Sequence, residues 1–374
     1  MNEGAGRLIA LAAGGTGGHL FPAEALAQEL KRRGWRILLV TDERGARYAG
    51  GFPADERVLI SAASPSIGGP VAKAMAAIAL AGGFFKVVKA FRKRDIAAAV
   101  GFGGYPSFPT MAAARMLAIP YGVHEQNGVL GRANRLVAGG GAFLAHGFSV
   151  LDKAPKKYRG EMIEVGNPVR DVVSRAAGSE FQTPAPGGKT SLLVFGGSQG
   201  ASLFSTVTPA AIASLPQTVR EKLRVVQQVR DPEISMVRKA YDAAGVECEI
   251  APFFDDLPAR IAAAQLVIAR AGASTVSELA VIGRPSILVP LAIAMDDHQT
   301  GNARALSDAG GAIRIAEAEF NPQSLAARLH DLLTDHELLR HMAGAARGRV
   351  RPEAASALAD IVEKIANPKA KAGV

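Results

Sequence analysis

Two doubly wound α/β domains, each a parallel sheet covered by helices on both faces, are what this 374-residue sequence predicts. Three observations carry that expectation. Short apolar runs alternate with longer alanine-rich stretches. The alternation occurs twice along the chain. Each round opens with an apolar strand that feeds a glycine-rich turn and then a helix: LIALAA into GGTGGH at Gly14–His19, and SLLV into FGGSQG at Phe195–Gly200. Continuous apolar strands alternating with helices are the pattern of parallel sheets buried on both faces. The length agrees, being too great for one ordinary core.

Taken in order, the first half places strands at Arg7–Ala13, Arg36–Thr41, Ile96–Gly101, Tyr121–Glu125 and Phe143–Ala145, with helices such as Pro22–Arg33 and Pro106–Leu117 between them. The second half places strands at Ser191–Phe195, Leu223–Gln227, Cys248–Ala251, Leu266–Ala269 and Ser286–Pro290. Helices near Pro232–Ala243, Ala273–Ile282 and His298–Ala309 intervene. GNPVRD at Gly166–Asp171 carries the turn signal for the connection, and PAPGGK at Pro184–Lys189 is a surface loop leading into the second domain. The expected boundaries are 1–168 and 169–351, with a last helix at about 352–368. Only the tail, ANPKAKAGV, reads as frayed.

Composition narrows the class. A single cysteine, Cys248, excludes a disulfide framework and suits a reducing compartment. The start MNEGAGR mixes both charge signs and does not read as a secretory signal. A net charge of +9 is compatible with nucleic acid, an anionic membrane or a phosphorylated substrate, and equally with ordinary surface lysine and arginine. No RNA-binding signature or aromatic stacking platform accompanies the charge, which argues against nucleic acid.

The glycine-rich turns say more. Glycine at a strand-to-helix turn permits positive φ and close approach of a ligand to the main chain. The helix that follows offers unpaired N–H groups and a partial positive charge, so phosphate is the natural guest. A nicotinamide enzyme is one rival: Asp42 ends the second strand where a ribose-binding acid would sit, but GGTGGHL lacks the third glycine of the fingerprint. A P-loop fails, because no glycine-rich loop leads into Gly-Lys-Ser/Thr. Neither rival explains the second turn. Two facing α/β domains with a sugar nucleotide between them do. In ARAGASTVSELAVIGRPSILVP, Glu278 lies inside the helix that starts near Ala273, where a carboxylate can accept from both hydroxyls of a ribose.

GGTGGHLFPAEALA, GFGGYPSFP, HEQNGVLGRANRL, GNPVR, FGGSQGA, RAGASTVSELA and DDHQTGNA resemble, in order, the motifs of the MurG family over about Leu8–Ala303. The resemblance implies Rossmann-like domains in the GT-B architecture and an N-acetylglucosaminyltransferase that converts lipid I to lipid II in peptidoglycan synthesis. It implies UDP-N-acetylglucosamine as donor, an undecaprenyl-diphosphoryl muramoyl-pentapeptide as acceptor and no cofactor. It also implies a last helix that crosses back to the N-terminal domain, and other cell-wall synthesis proteins as further partners. Carried over residue by residue, Ser198 binds diphosphate with Arg170 nearby, and Phe254 meets uracil through its backbone. Ala273, Ser274, Thr275, Val276, Ser277 and Glu278 line the nucleoside, with Glu278 on the ribose. Gln299 and Asn302, on one helix face, read sugar hydroxyls. Thr16, Gly17, Gly18 and Asn127 approach the donor from the N-terminal domain.

Inversion at the anomeric carbon needs a base for the acceptor hydroxyl and stabilisation of departing UDP. His19 and Glu125 are the two candidates for the base. His19, with an ordinary pKa of roughly 6.5, is slightly preferred, and a phosphate contact is its alternative role. Glu125 could instead orient a neighbour. No Asp-x-Asp occurs in the chain, which argues against a metal bridging the diphosphate. Gly103, Gly104, Tyr105 and Ser107, in a third glycine-rich strand exit, form a cradle for the acceptor's diphosphate.

Between Lys73 and Lys86 lie the uncharged residues AMAAIALAGGFF, fewer than the about 20 that a spanning helix takes. Val71, Met75, Ile78, Phe85 and Val88 fall on one helical face with Leu80 and Phe84 beside it, flanked by Lys73, Lys86 and Lys89. A core helix with a basic end fits this pattern. A patch resting on anionic lipid also fits, and with an acceptor on a polyprenyl chain it gives a peripheral protein on the cytoplasmic face of the inner membrane. Another GT-B enzyme (a glycolipid glycosyltransferase or a UDP-N-acetylglucosamine epimerase) and a catalytically silent nucleotide-binding scaffold are the competing readings. The HEQN and DDHQT segments and the intact base candidates favour the transferase.

Overall fold

The computed structural model describes residues 6–15, 17–61, 69–185, 187–197, 202–292, 294–349, 351 and 353–367. The chain forms two units, Met1–Asp171 with Arg351–Val374, and Val172–Val350.

Unit 1 begins with β1 (Leu8–Ala12), α1 (Gly17–Arg32), β2 (Arg36–Thr41), α2 (Glu43–Tyr48) and β3 (Glu56–Leu59). It continues through α3 (Pro70–Arg92), β4 (Ile96–Gly101), α4 (Ser107–Met116) and β5 (Tyr121–Glu125). Then come α5 (Arg132–Ala138), β6 (Phe143–His146) and β7 (Glu161–Glu164). Among the described residues seven strands are parallel, in the order β3-β2-β1-β4-β5-β6-β7. The order reverses between β1 and β4, so these neighbours send their chains to opposite sides at the sheet's carboxyl edge. That is where open α/β sheets bind ligands. Both β1 and β4 are buried along their whole length.

Unit 2 is entered by α6 (Asp171–Ala176) and built from β8 (Thr190–Phe195), α7 (Ser202–Ala213), α8 (Gln217–Arg220), β9 (Leu223–Gln228), α9 (Ile234–Ala243) and β10 (Glu247–Ala251). After these come α10 (Leu257–Ala263), β11 (Leu266–Ala269), α11 (Ala273–Ile282), β12 (Ser286–Leu288) and α12 (His298–Ser307). The unit closes with β13 (Ala312–Arg314), α13 (Pro322–Thr334) and α14 (His336–Arg347). The six strands among its described residues are parallel in the order β10-β9-β8-β11-β12-β13, and the reversal falls between β8 and β11. Gly196 and Gly197, which follow β8, therefore stand at the same topological position as Gly14 and Gly15 after β1.

The final helix, α15 (Ala354–Ala366), belongs to unit 1. Leu358, Ala359 and Val362 join the core that holds Leu20, Leu26, Leu30 and Trp35. Arg33 bonds to Asp360 and Glu363, and the Trp35 indole donates to Glu363 at 2.7 Å. The opposite face of the sheet is covered by α3, α4 and α5 through Val87, Val88, Phe91, Met111 and Val137.

Helix α3 corrects two expectations. Its stretch Ala74–Arg92 is long and apolar enough, by length and composition alone, to cross a membrane, whereas the uncharged run by itself was too short. Val71, Met75, Ile78 and Phe85 are exposed, at 74%, 65%, 72% and 67%. Val88, expected on that face, is instead packed in the core, and Leu80 and Phe84 are half-buried. A step of three residues from Phe85 turns by about 60° short of a full turn, enough to carry Val88 toward the sheet. Lys86 and Lys89 are exposed, while the side chain of Lys73 lies outside the described residues.

Candidate functional site

In unit 1 the exits of β1 and β4 meet. Phe102 N donates to the Ala12 carbonyl at 2.9 Å, and the turns at Gly14–Gly15 and Gly103–Gly104 lie against each other. Gly103 and Gly104 have φ of +90° and +74°, and a Cβ on Gly104 would stand 2.7 Å from the Gly14 oxygen. No side chain could be accommodated there. Ser107 was expected to line this cradle but is fully buried behind it. Its hydroxyl contacts the carbonyl oxygens of Ala12 and Gly103 at 2.9 and 2.8 Å, so it braces the two exits from within. Tyr105 is half-buried on the turn.

His19 is the third residue of α1, and its Nδ1 lies 3.1 Å from the Gly14 carbonyl oxygen. A carbonyl only accepts, so Nδ1 carries the hydrogen and the neutral ring keeps its lone pair on Nε2. The Nε2 edge faces Gly103, where a Cβ would meet it at 3.1 Å. Gly17 is buried beneath the Phe21 ring, and the Gly18 carbonyl is 3.4 Å from the Gln126 amide. Thr16 lies outside the described residues.

Glu125, at the end of β5, is 2% exposed. Oε1 accepts from the Asn127 backbone N–H and side-chain amide at 3.0 and 2.9 Å. Oε2 accepts from Gly131 N and the Asn134 amide, both at 2.9 Å. Four N–H donors occupy the four lone-pair sites a carboxylate offers. Glu125 thus fixes the Asn127–Gly131 turn and the start of α5. Asn134 was quoted within a motif but not singled out. It is buried, and its amide lies 3.6 Å from where a Gly103 Cβ would stand. Its position between Ala133 and Arg135 gave no signal of this. Next in chain to Glu125, His124 donates from Nε2 to the Gly166 carbonyl at 3.0 Å, and burial pushes its pKa down to about 4.

Arg170 falls in unit 1, with its guanidinium 3.8 Å over the Phe21 ring. Glu24 is held above the ordinary carboxylate range by burial, an effect that the nearby Arg170 opposes.

In unit 2 the exit of β11 turns at Gly272 into α11. Ala273, Val276, Ser277 and Glu278 are buried, the last 6% exposed, while Ser274 and Thr275 are half-buried. The Ser277 hydroxyl donates to the Ala273 carbonyl at 2.8 Å. Phe254 is buried under the Arg260 guanidinium, 4.2 Å from its ring centroid. Gln299 is half-buried and accepts from Leu291 N at 3.0 Å. Asn302 departs from expectation: it is fully buried and donates to the Ala271 carbonyl at 3.1 Å. That bond ties α12 to the turn before α11. Ser198 lies outside the described residues. Among the described residues, no three His, Cys, Asp or Glu side chains cluster as a metal site would require.

Two parallel sheets, each reversing its strand order at the exit of its first strand, have the GT-B architecture, which glycosyltransferases share with other sugar-nucleotide enzymes. The glycosyltransferase family 28 N-terminal domain matches residues 9–139, and the family 28 C-terminal domain matches 191–365. The "UDP-N-acetylglucosamine--N-acetylmuramyl-(pentapeptide) pyrophosphoryl-undecaprenol N-acetylglucosamine transferase" of Methylobacterium sp. (strain 4-46) is 48% identical over 360 residues, 96% of this chain and 97% of that one. The protein of the same description from Caulobacter vibrioides (strain NA1000 / CB15N) is 48% identical over 362 residues, 96% of this chain and 99% of that one. The crystal structure of Acinetobacter baumannii MurG matches with a TM-score of 0.76 and 27% identity, covering 96% of this chain and 99% of its own. The UDP-GlcNAc 2-epimerase from Neisseria meningitidis, at 11% identity and a TM-score of 0.65 over 96% of this chain and 100% of its own, shares the fold. This chain belongs to the MurG family.

Proposed function

We propose that this chain transfers N-acetylglucosamine from UDP-N-acetylglucosamine to the muramoyl 4-hydroxyl of lipid I, giving lipid II, with His19 as the general base. The observation that carries the chemistry is the His19 Nδ1–Gly14 contact, which puts the ring's hydrogen on Nδ1 and turns the Nε2 edge toward the Gly103–Gly104 exit. As the hydroxyl oxygen bonds to the anomeric carbon, the carbon–oxygen bond to UDP breaks and the proton passes to Nε2. Glu125 is a positioning residue in this reading, because its acceptor sites are already taken.

Unit 1 takes the acceptor, with Gly103, Gly104 and Tyr105 at its diphosphate. Unit 2 takes the donor, with Ser198 and the start of α11 near the diphosphate, Phe254 at uracil, Glu278 at ribose and Gln299 at the sugar. Gly17, Gly18, Asn127 and Arg170 are the unit 1 residues assigned to the donor. An assay with UDP-N-acetylglucosamine, with and without a lipid I analogue, tests the whole reading. UDP release only when the analogue is present supports transfer, whereas epimerised sugar nucleotide formed without it would make the chain an epimerase.

Departing UDP is met by helix N-termini and Arg170. EDTA is expected to leave most of the transfer rate. Complete loss, restored by magnesium or manganese, would mean that a metal bridges the diphosphate despite the missing Asp-x-Asp.

The exposed row Val71, Met75, Ile78 and Phe85, bordered by Lys86 and Lys89, supports peripheral attachment to anionic lipid at the cytoplasmic face. Ile78→Asp combined with Phe85→Asp is expected to weaken binding to phosphatidylglycerol vesicles by about a hundredfold or more, each buried side chain contributing about 1.5–3 kcal/mol. Since both side chains are exposed, the thermal midpoint should hold. Unchanged co-sedimentation with vesicles would move the contact to another surface.

A further inference from the structure

A carboxylate that none of the roles above uses holds the glycine-rich turn at the exit of β1. Asp42 follows β2, is 4% exposed, and directs Oδ1 back into the protein. That oxygen accepts from Gly15 N at 3.0 Å and from Gly45 N at 2.7 Å. The slot it occupies depends on glycine: a Cβ on Gly14 or on Gly45 would each stand 3.0 Å from Oδ1. The acid that a dinucleotide-binding fold would send to a ribose is here spent on the turn.

The Gly15 N–H and the Gly14 carbonyl belong to one peptide unit. Asp42 accepts from its N–H at 3.0 Å, and His19 Nδ1 donates to its oxygen at 3.1 Å. One planar, rigid amide therefore stands between a buried carboxylate and an imidazole, hydrogen-bonded to both. A negative charge at the N–H end draws electron density toward the carbonyl oxygen and makes it a stronger acceptor, since linked hydrogen bonds polarise one another. The array favours the ring most when it is charged, because an imidazolium is the stronger donor.

We propose that Asp42 is a positioning residue for His19 that acts through the Gly14–Gly15 peptide, fixing the Nδ1–H tautomer and stabilising the imidazolium formed when Nε2 takes the acceptor's proton. This rests on His19 as the base. Asp42 itself takes no proton, and Nδ1 keeps its own. Of the other ionisable groups around the turn, Glu125 is committed to four N–H donors and His124 is buried and neutral. Glu43 and Arg44, which follow Asp42, are exposed. Asp42 also caps α2 through Gly45, so a purely structural role is the alternative that the test must separate.

Asp42→Asn keeps an oxygen for both N–H groups and removes the charge, and Asp42→Ser keeps a good helix cap without it. In full-length protein labelled with ¹⁵N-histidine, the wild type is expected to show neutral His19 with its hydrogen on Nδ1, the less common form in free histidine. In either variant the His19 titration midpoint should fall by about one pH unit, because a charge favouring the protonated ring is gone. kcat should drop about tenfold, as for other residues that orient a reacting group from behind, with the KM for UDP-N-acetylglucosamine within twofold. The acid limb of the kcat profile should move with the NMR midpoint. A lower thermal midpoint with an unmoved His19 titration and tautomer would overturn the proposal and leave Asp42 as a cap. If His19→Ala kept its kcat, the base assignment would fail, while the NMR shift in Asp42→Asn would still report on the array.

Discussion

His19→Ala lowers kcat by about 10²–10⁴-fold, the range general-base catalysis supplies, and leaves the affinity for UDP within a few-fold. The expectation follows from the ring's posture. Its Nδ1–H is pinned to the Gly14 carbonyl and its Nε2 edge faces the Gly103–Gly104 exit, where the acceptor's diphosphate is assigned. A ring that only contacted phosphate would give a different result: a raised KM for lipid I with kcat mostly kept. Glu125→Gln is the companion measurement. A glutamine there would turn an NH₂ group toward N–H donors, so at least one buried pair becomes donor against donor. That should cost thermal stability and some kcat without moving the acid limb of the pH profile. If His19→Ala retained its kcat while Glu125→Gln abolished turnover, the base would be Glu125.

Much of the fold was legible because the central strands are continuous apolar runs. LIALA, IAAAV and LVIA could only be buried on both faces. The strands that escaped sequence reasoning lie at or near the sheet edges: β3 (ERVL), β7 (EMIE) and β13 (AIR). Each is short and charged, as edges that must resist pairing with other chains tend to be, and each therefore reads as loop. Strand order was not in the sequence at all. The glycine-rich turns after β1 and β4 were each visible, but not that the two strands are neighbours and bring the turns into contact.

The site divides in the same way. Residue type picked out His19 and Glu125 as rivals, but choosing between them needed partners that spacing does not reveal. The donors to Glu125 come from the folded-back Asn127–Gly131 turn and from α5, and the acceptor for His19 is a main-chain oxygen. Same-face arguments failed at Asn302 and Val88 for one reason: a helical step of three still rotates the side chain by about 60°. On a helix packed against other elements, that separates an exposed position from a buried one. Asp42 was noticed for the place a ribose acid would take. Its place here became visible only when Asp42 and His19 proved to bond to the two ends of the Gly14–Gly15 peptide.

Glu278→Ala raises the dissociation constant for UDP by about two to four orders of magnitude, since two hydrogen bonds to a carboxylate contribute roughly 1.5–3 kcal/mol each. The residue sits six positions into α11, beyond the Gly272 turn and a run of small side chains that lets a nucleoside approach the helix start. It is nearly buried, so it already bears part of the desolvation cost that a bound ribose would otherwise impose. The ligand can be cut as well as the protein. Wild-type protein should bind 2′-deoxy-UDP more weakly than UDP by about ten- to a hundredfold, the loss of one such bond. In Glu278→Ala the two nucleotides should bind alike, because the group that tells them apart has gone. Calorimetric titration of both nucleotides against both proteins gives the four constants. A carboxylate that merely braced α11 would lower the thermal midpoint and leave the preference for UDP over its deoxy form intact. That outcome would remove Glu278 from the ribose.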